Sequence, residues 1–257
     1  MEYLDFAVGL ARAAGDVLKY YMDREKQVEF KGRANLVTIA DRESEALIIR
    51  EIQRKFPGHA VLAEESGASG ASEAEARWII DPLDGTTNFA HQYPFFCVSI
   101  GFELRGEIVC GAVYDPSRDQ MFSGSRGNGS FVDGQRLHVS DVDELGHALL
   151  MTGFPYRVGE KIDLAMSQFR NFMLASQAVR RAGAAALDLC YVAQGKCDGF
   201  WELDLQPWDT AAGLVILEEA GGRVTEFAGS PFSVYMKQIV ASNGTIHDEM
   251  LDVLKRT

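Results

Sequence analysis

The apolar positions of residues 2–24 recur three and four apart, at Leu4, Ala7, Val8, Ala11, Leu18 and Met22, which predicts an amphipathic helix with one inward face. Residues 41–56 repeat the pattern, with Leu47, Ile48 and Ile52 inward, Asp41 at the start and Pro57-Gly58 as the stop. The period then shortens. A short strand is expected at Ala60–Ala63, followed by Glu64-Glu65-Ser66, and the small, polar stretch 67–76 reads as a loop. Arg77–Asp81 is a compact apolar strand that ends on a carboxylate. Residues 97–104 and 107–114 read as a hairpin turning at Arg105-Gly106, and the glycines between 124 and 134 mark another. Further on, helical patterns near 160–175, 184–194 and 209–220 alternate with strands near 199–203, 223–227 and 239–241. Gly221-Gly222 is placed to close the last of these helices. The pattern predicts a mixed α/β chain acting as one unit over 1–257, with an antiparallel-rich α+β half at about 1–143 and an α/β half at about 144–257.

Composition narrows this picture. At 257 residues and 47% apolar content the chain can build a full core, and 25 Lys+Arg against 37 Asp+Glu give a net charge of −12. That excess argues against a nucleic-acid backbone as partner, which needs a basic stripe. No window approaches the ~18 consecutive apolar residues of a membrane helix, and Met1-Glu2-Tyr3-Leu4-Asp5 lacks the basic and apolar regions of a secretory signal. Cys97, Cys110, Cys190 and Cys197 form no Cys-x-x-Cys pair and have mainly apolar neighbours, so they read as reduced, buried thiols of a cytoplasmic protein.

The densest chemistry is Asp81-Pro82-Leu83-Asp84-Gly85-Thr86-Thr87-Asn88. Two carboxylates stand three apart after an apolar strand, and Pro82 cannot continue a ladder. Such a turn can aim both carboxylates and the Leu83 carbonyl into one space, an all-oxygen donor set suited to Mg²⁺ or Mn²⁺. Gly85-Thr86-Thr87 adds backbone N–H groups and hydroxyls able to cradle phosphate. The same residues could equally form a capped turn with solvated acids, and Asp209, at the head of a helix after Trp208, could be a plain cap. Other signatures are weaker. Asp141-Val142-Asp143-Glu144-Leu145 has Leu where an aspartyl-nucleophile phosphatase carries Thr or Val, and reads as a solvated turn. Gly124-Ser125-Arg126-Gly127-Asn128-Gly129 lacks a following Gly-Lys-Ser/Thr and reads as hairpin chemistry, and no G-x-S-x-G is present. The five histidines are scattered, away from metal-ligand spacing. Arg180-Arg181 is open between a strand-end charge pair, a substrate contact and a subunit interface.

Three segments together resemble the inositol monophosphatase family of metal-dependent, lithium-sensitive sugar phosphatases. They are Glu64-Glu65-Ser66, the string Trp78 to Phe89, and Trp208-Asp209-Thr210-Ala211-Ala212-Gly213 through Glu219-Ala220-Gly221-Gly222. The resemblance covers essentially the whole chain. It implies the layered α-β-α-β-α sugar phosphatase fold and a homodimer. It also implies that Glu64, Asp81 and the Leu83 carbonyl hold one Mg²⁺, that Asp81, Asp84 and Asp209 hold a second, and that a third lies near Glu64. Gly85 and Thr86 would bind phosphate, Thr86 would pair with Asp41 to orient the attacking water, and Lys31 would match a mobile-loop lysine. Gly183, Ala184, Ala185 and Glu202 would contact the sugar hydroxyls. The implied activity is hydrolysis of a sugar or polyol phosphate monoester by in-line attack of water, with myo-inositol 1-phosphate the first choice. Fructose 1,6-bisphosphate, histidinol phosphate and 3′-phosphoadenosine 5′-phosphate are the alternatives, and Arg157, Lys161, Arg180 and Arg181 could serve a second phosphate. A non-catalytic scaffold is the reading of another class. Charge balance supports the metals: three divalent cations neutralise four carboxylates and a phosphate dianion in one cleft, and two leave −2, tolerable in a wet cleft, since one like-charge pair at 4 Å costs ~4 kcal/mol at an effective dielectric near 20.

Overall fold

The computed structural model describes residues 2–22, 28–30, 36–71, 74–154 and 158–256, so Lys31 and Arg157 lie outside the described residues. Helix α1 (Glu2–Met22) buries Ala7, Leu10, Ala11, Ala14 and Leu18, and α2 (Ile39–Lys55) buries Ile48 and Ile52, as the two periodic patterns predict. Helix α2 starts at Ile39 because Thr38 caps it, which places Asp41 in its first turn. A two-stranded ribbon, β1 (Val28–Phe30) with β2 (Leu36–Thr38), stands between the helices in sequence and was not expected from the pattern.

The first large sheet has eight strands: β3 (Ala60–Ala63), β4 (Gly67–Ser69), β5 (Ala76–Asp84), β6 (Cys97–Leu104), β7 (Glu107–Asp115), β8 (Gln120–Ser125), β9 (Gly129–Val132) and β10 (Gln135–Arg136). Their order is β10-β9-β8-β7-β6-β5-β3-β4, antiparallel except where β3 runs beside β5. The stretch expected to be a loop supplies β4, which pairs Val61 with Ser69. Alternation along β5 sends Trp78 and Ile80 to one core and Ile79 to the other. Near its end the register against β6 slips by one residue between Asp81 and Asp84, a bulge that takes Pro82 out of the ladder. Helix α3 (Thr86–Ala90) follows at once.

The second sheet has the order β12-β11-β13-β15-β14, built from β11 (Leu149–Thr152), β12 (Ala178–Arg180), β13 (Gly199–Leu203), β14 (Arg223–Thr225) and β15 (Gln238–Ser242). Strands β12, β11 and β13 are parallel; the other pairings are antiparallel. Helices α1 and α2 cover the outer face of the first sheet. Helices α5 (Ala185–Ala193) and α6 (Pro207–Glu219) lie between the sheets, and α4 (Val158–Ala175) and α7 (His247–Leu254) cover the far face of the second. The result is the expected α-β-α-β-α layering. Helix α6 ends where the glycine pair predicts: Gly221 N–H donates to the Glu218 carbonyl at 3.1 Å and Gly222 N–H to the Leu217 carbonyl at 3.0 Å.

One detail of this packing sets up the site. Gly101 and Gly111 stand directly opposite each other on β6 and β7. A Cβ on Gly111 would fall 2.6 Å from the Ala212 Cα, and one on Gly101 would fall 2.7 Å from the Ala211 Cβ. Helix α6 therefore rests almost backbone to backbone on the sheet, and its first turn, with Asp209, is brought beside the end of β5.

Candidate active site

Four acids meet between the two sheets. Asp81 and Asp84 come from the bulged end of β5, Glu64 from the turn after β3, and Asp209 from the first turn of α6. Burial first, and then repulsion from Glu64, Asp84 and Asp209, holds the Asp81 carboxyl well above the usual range. Burial raises Asp84 to about 7 against the pull of the Ala186 N–H, with Glu64 pushing further up. Asp209 rises to about 7 for the same first reason, with Asp84 as the repelling neighbour. A backbone donor pins one oxygen of three of these groups. Leu83 N–H reaches Asp81 Oδ1 at 2.9 Å, Ala186 N–H reaches Asp84 Oδ2 at 2.8 Å, and Gln206 N–H reaches Asp209 Oδ2 at 2.6 Å. The last bond closes a capping box on α6. The two readings of Asp209 are thus compatible: one carboxylate caps a helix and also joins the acid cluster.

Among the described residues, no three of these side chains already stand at the spacing of a closed ligand shell. The fit to a hard divalent cation rests on the donor set. Repelling carboxylates and a peptide carbonyl, all oxygen, suit Mg²⁺ or Mn²⁺ and supply neither the nitrogen nor the sulfur that Zn²⁺ favours.

Beside the acids lies the Gly85-Thr86 turn. Gly85 has φ +93°, and a Cβ there would sit 3.0 Å from the Phe95 carbonyl, so a side chain is excluded on both counts. The Thr86 hydroxyl stands 3.1 Å from Asp41 Oδ1 and 3.1 Å from the Leu83 carbonyl oxygen, and its single proton serves one acceptor at a time. Asp41 Oδ2 accepts from the Thr38 N–H at 2.8 Å and the Thr38 hydroxyl at 2.5 Å. Burial nonetheless lifts Asp41 to about 6, the Thr38 bonds opposing it and Glu65 adding to it.

The far wall comes from the second sheet and α5. Glu202 on β13 is buried, and a Cβ on Gly153 would fall 2.1 Å from its Oε1, so the carboxyl lies across the end of β11. Burial first and then Asp209 push Glu202 up, while Arg181 pulls it down. Asp188, in the first turn of α5, is 1% exposed with Oδ1 lacking a hydrogen-bond partner. The Asn88 amide donates to the carbonyls of Phe95 at 2.7 Å and Ala182 at 2.9 Å, tying the Gly85-Thr86 turn to the segment that carries Gly183, Ala184 and Ala185. Of the rim cations, Lys161 pairs with Asp204, Arg181 folds against Gly183, and Arg180 is exposed at the end of β12. Residues that the motifs did not reveal are Ser44, whose hydroxyl donates to the Pro82 carbonyl at 3.0 Å, and Glu45, which accepts from the Glu65 and Ser66 N–H groups at 2.9 and 3.0 Å. A signal for both exists: with Asp41 they form a polar trio on the helix face that continues into Ile48.

Sequence comparison decides the family. A profile described as the inositol monophosphatase family matches residues 1–256. The chain belongs to the inositol monophosphatase family. It is 43% identical over 257 residues to the fructose-1,6-bisphosphatase/inositol-1-monophosphatase of Aquifex aeolicus, covering 99% of this chain and 96% of that one. It is 39% identical over 263 residues to the Nus factor SuhB of Salmonella typhimurium, covering 98% of each. The solved inositol monophosphatase of Anabaena superposes with a TM-score of 0.92 at 44% identity, over 100% of this chain and 96% of that one. As an inositol monophosphatase family member the protein is a phosphatase acting on phosphate esters. Among the described residues no helix is long and apolar enough to cross a membrane. The four cysteines are buried and free, as their apolar neighbours predicted.

Proposed function

We propose that this protein is a Mg²⁺-dependent phosphatase of sugar or polyol phosphate monoesters, with myo-inositol 1-phosphate as its first substrate. The observation that carries the reading is the convergence of Glu64, Asp81, Asp84 and Asp209 beside the Gly85-Thr86 turn. Glu64, Asp81, the Leu83 carbonyl, Asp84 and Asp209 would hold two ions, Mn²⁺ serving as well, with a third near Glu64. When bound, such ions neutralise phosphoryl oxygens and make water a better nucleophile at neutral pH. The Gly85 and Thr86 N–H groups bind and orient the phosphoryl oxygens. Asp41, ionised above its raised value of about 6, takes a proton from the Thr86 hydroxyl, which takes one from the attacking water. Attack is in line, and no side chain forms a covalent bond to phosphorus. Glu202, with the backbone of Gly183, Ala184 and Ala185, accepts and aligns the polyol hydroxyls. Lithium sensitivity, a homodimer and a reducing, cytoplasmic setting complete the reading, the last supported by the four free cysteines.

Side-by-side kcat/KM values for myo-inositol 1-phosphate, fructose 1,6-bisphosphate, histidinol phosphate and 3′-phosphoadenosine 5′-phosphate test this. Preference for the first upholds the reading. Preference for the bisphosphate moves the assignment to the bisphosphatase activity in the Aquifex relative's name, with Arg181 near Glu202 and Lys161 on Asp204 as candidate cations. A Mg²⁺-loaded protein that releases phosphate from none of the four sinks the enzyme reading in favour of a scaffold, the class that the name Nus factor keeps in view. Light scattering of the purified protein tests the homodimer.

A further inference from the structure

Helix α2 does more for the site than lend it Asp41. Its buried face carries Asp41, Ser44 and Glu45 before it turns apolar at Ile48. Each of the three touches a different segment of the acid cluster. Asp41 meets Thr86, Ser44 meets the Pro82 carbonyl inside the bulge, and Glu45 meets the turn that follows β3. Glu45 has the least ordinary position. Its side chain is 5% exposed, and both carboxylate oxygens accept consecutive peptide N–H groups, Oε2 from Glu65 at 2.9 Å and Oε1 from Ser66 at 3.0 Å.

That turn needs an outside tie. Glu64, Glu65 and Ser66 join β3 to β4, whose first pair is Ala63 with Gly67. Strand β4 is three residues long and is the edge of the sheet, paired with β3 alone. A short edge hairpin held by its own ladder opens readily. Glu64 sits in this hairpin, and a carboxylate carried on a turn that opens is a poor ligand.

We propose that Glu45 is a positioning residue for the metal site, clasping the Glu65 and Ser66 N–H groups so that Glu64 is held against Asp81 and Asp84. This rests on the reading that Glu64 is a metal ligand. The chemistry of the clasp is specific. A carboxylate is acceptor-only, so it can take both N–H groups at once. Glutamine in the same shape accepts one and turns its own NH₂ toward the other. Aspartate is a methylene short of the pair.

The test uses the full-length protein in two forms. In the metal-free protein, amide hydrogen exchange at Glu65 and Ser66 is measured for wild type, Glu45→Gln and Ile48→Val. Mn²⁺ binding is then titrated by electron paramagnetic resonance on the same three proteins. Glu45→Gln is expected to speed exchange at those two amides and to weaken Mn²⁺ binding roughly 10-fold, the usual size of a lost outer contact to a ligand. Ile48→Val, which loosens the same helix face without touching the turn, is expected to lower the melting temperature and leave both readings near wild type. Unchanged amide protection and unchanged Mn²⁺ affinity in Glu45→Gln overturn the proposal. An equal loss of affinity in Ile48→Val also overturns it, because the effect is then general softening of α2. If wild type itself binds no Mn²⁺, the metal reading falls and takes the proposal with it, a result distinct from the other two.

Discussion

The two walls of the cleft are made in different ways. The wall from the first sheet is tied down many times over: Asp41, Asp81, Asp84 and Asp209 each accept at least one backbone N–H, and Asn88, Ser44 and Glu45 brace the turns between them. The wall from the second sheet and α5 is sparer. Glu202 lies over a glycine, Arg181 is its pulling cation, and Asp188 keeps a buried oxygen without a partner. The contrast teaches a division of labour. The first wall repels itself, and backbone donors hold three of its four clustered acids, Asp81, Asp84 and Asp209. On the proposed function the second would meet the variable part of a substrate, so that chemistry common to all substrates would belong to the first wall and choice among them to the second.

Substituting one residue from each wall separates these roles. Asp209→Asn is expected to lower kcat/KM by roughly 10³-fold or more for every phosphate monoester alike. Asn still caps α6, so the melting temperature should hold or rise. Phosphate release at saturating Mg²⁺ together with a thermal melt checks both, and near-wild-type turnover would remove Asp209 from the metal site. Glu202→Gln is expected to raise KM for myo-inositol 1-phosphate about 10-fold, the size of a lost hydrogen bond to a charged group, and to leave p-nitrophenyl phosphate unchanged. An equal loss on both substrates would erase the distinction between the walls.

A smaller effect comes from protons. Asp84 and Asp209, raised from 3.8 to about 7, keep protons in the metal-free fold that the unfolded chain has already lost. Between about pH 4 and pH 7 the folded state therefore binds more protons, and metal-free stability falls as pH rises through that window. Cations that replace those protons offset the fall. The gain in melting temperature on adding Mg²⁺ should thus grow from about pH 5.5 to pH 8, by a few degrees. A gain independent of pH in thermal melts would mean that the ions bind elsewhere. The least effect is expected at Asp141, an exposed residue outside both walls. Asp141→Asn should leave activity intact and stability within about 0.5 kcal/mol, whereas loss of turnover would point to an aspartyl nucleophile.

The sequence showed the first wall far better than the second, for physical reasons. Trp78-Ile79-Ile80-Asp81-Pro82-Leu83-Asp84 states its strand, its break and its donors in consecutive letters, and the helices α1 and α2 carry long periodic patterns. Gly67-Ala68-Ser69 has no strand preference of its own and reads as a loop; pairing with β3 makes it strand β4. Strands β11 and β12 and helix α7 were missed because they are short, and short apolar runs do not declare a period. Glu45 and Gly153 were missed because each works through a contact between distant segments, to Glu65 and Ser66 in one case and under Glu202 in the other.

The close seat of α6 on Gly101 and Gly111 has a consequence for how the protein is born. Residues 41 to 84 contribute all of the acid cluster but Asp209, which emerges from the ribosome well over a hundred residues later. Until α6 arrives, only α5 reaches the inner, glycine-floored side of the first sheet, and the cluster lacks its last member. The nascent chain must leave that trough open while the rest is synthesised, as expected of a fold dominated by distant pairings. Docking of that helix then fills the glycine-floored trough and completes the acid cluster in one step.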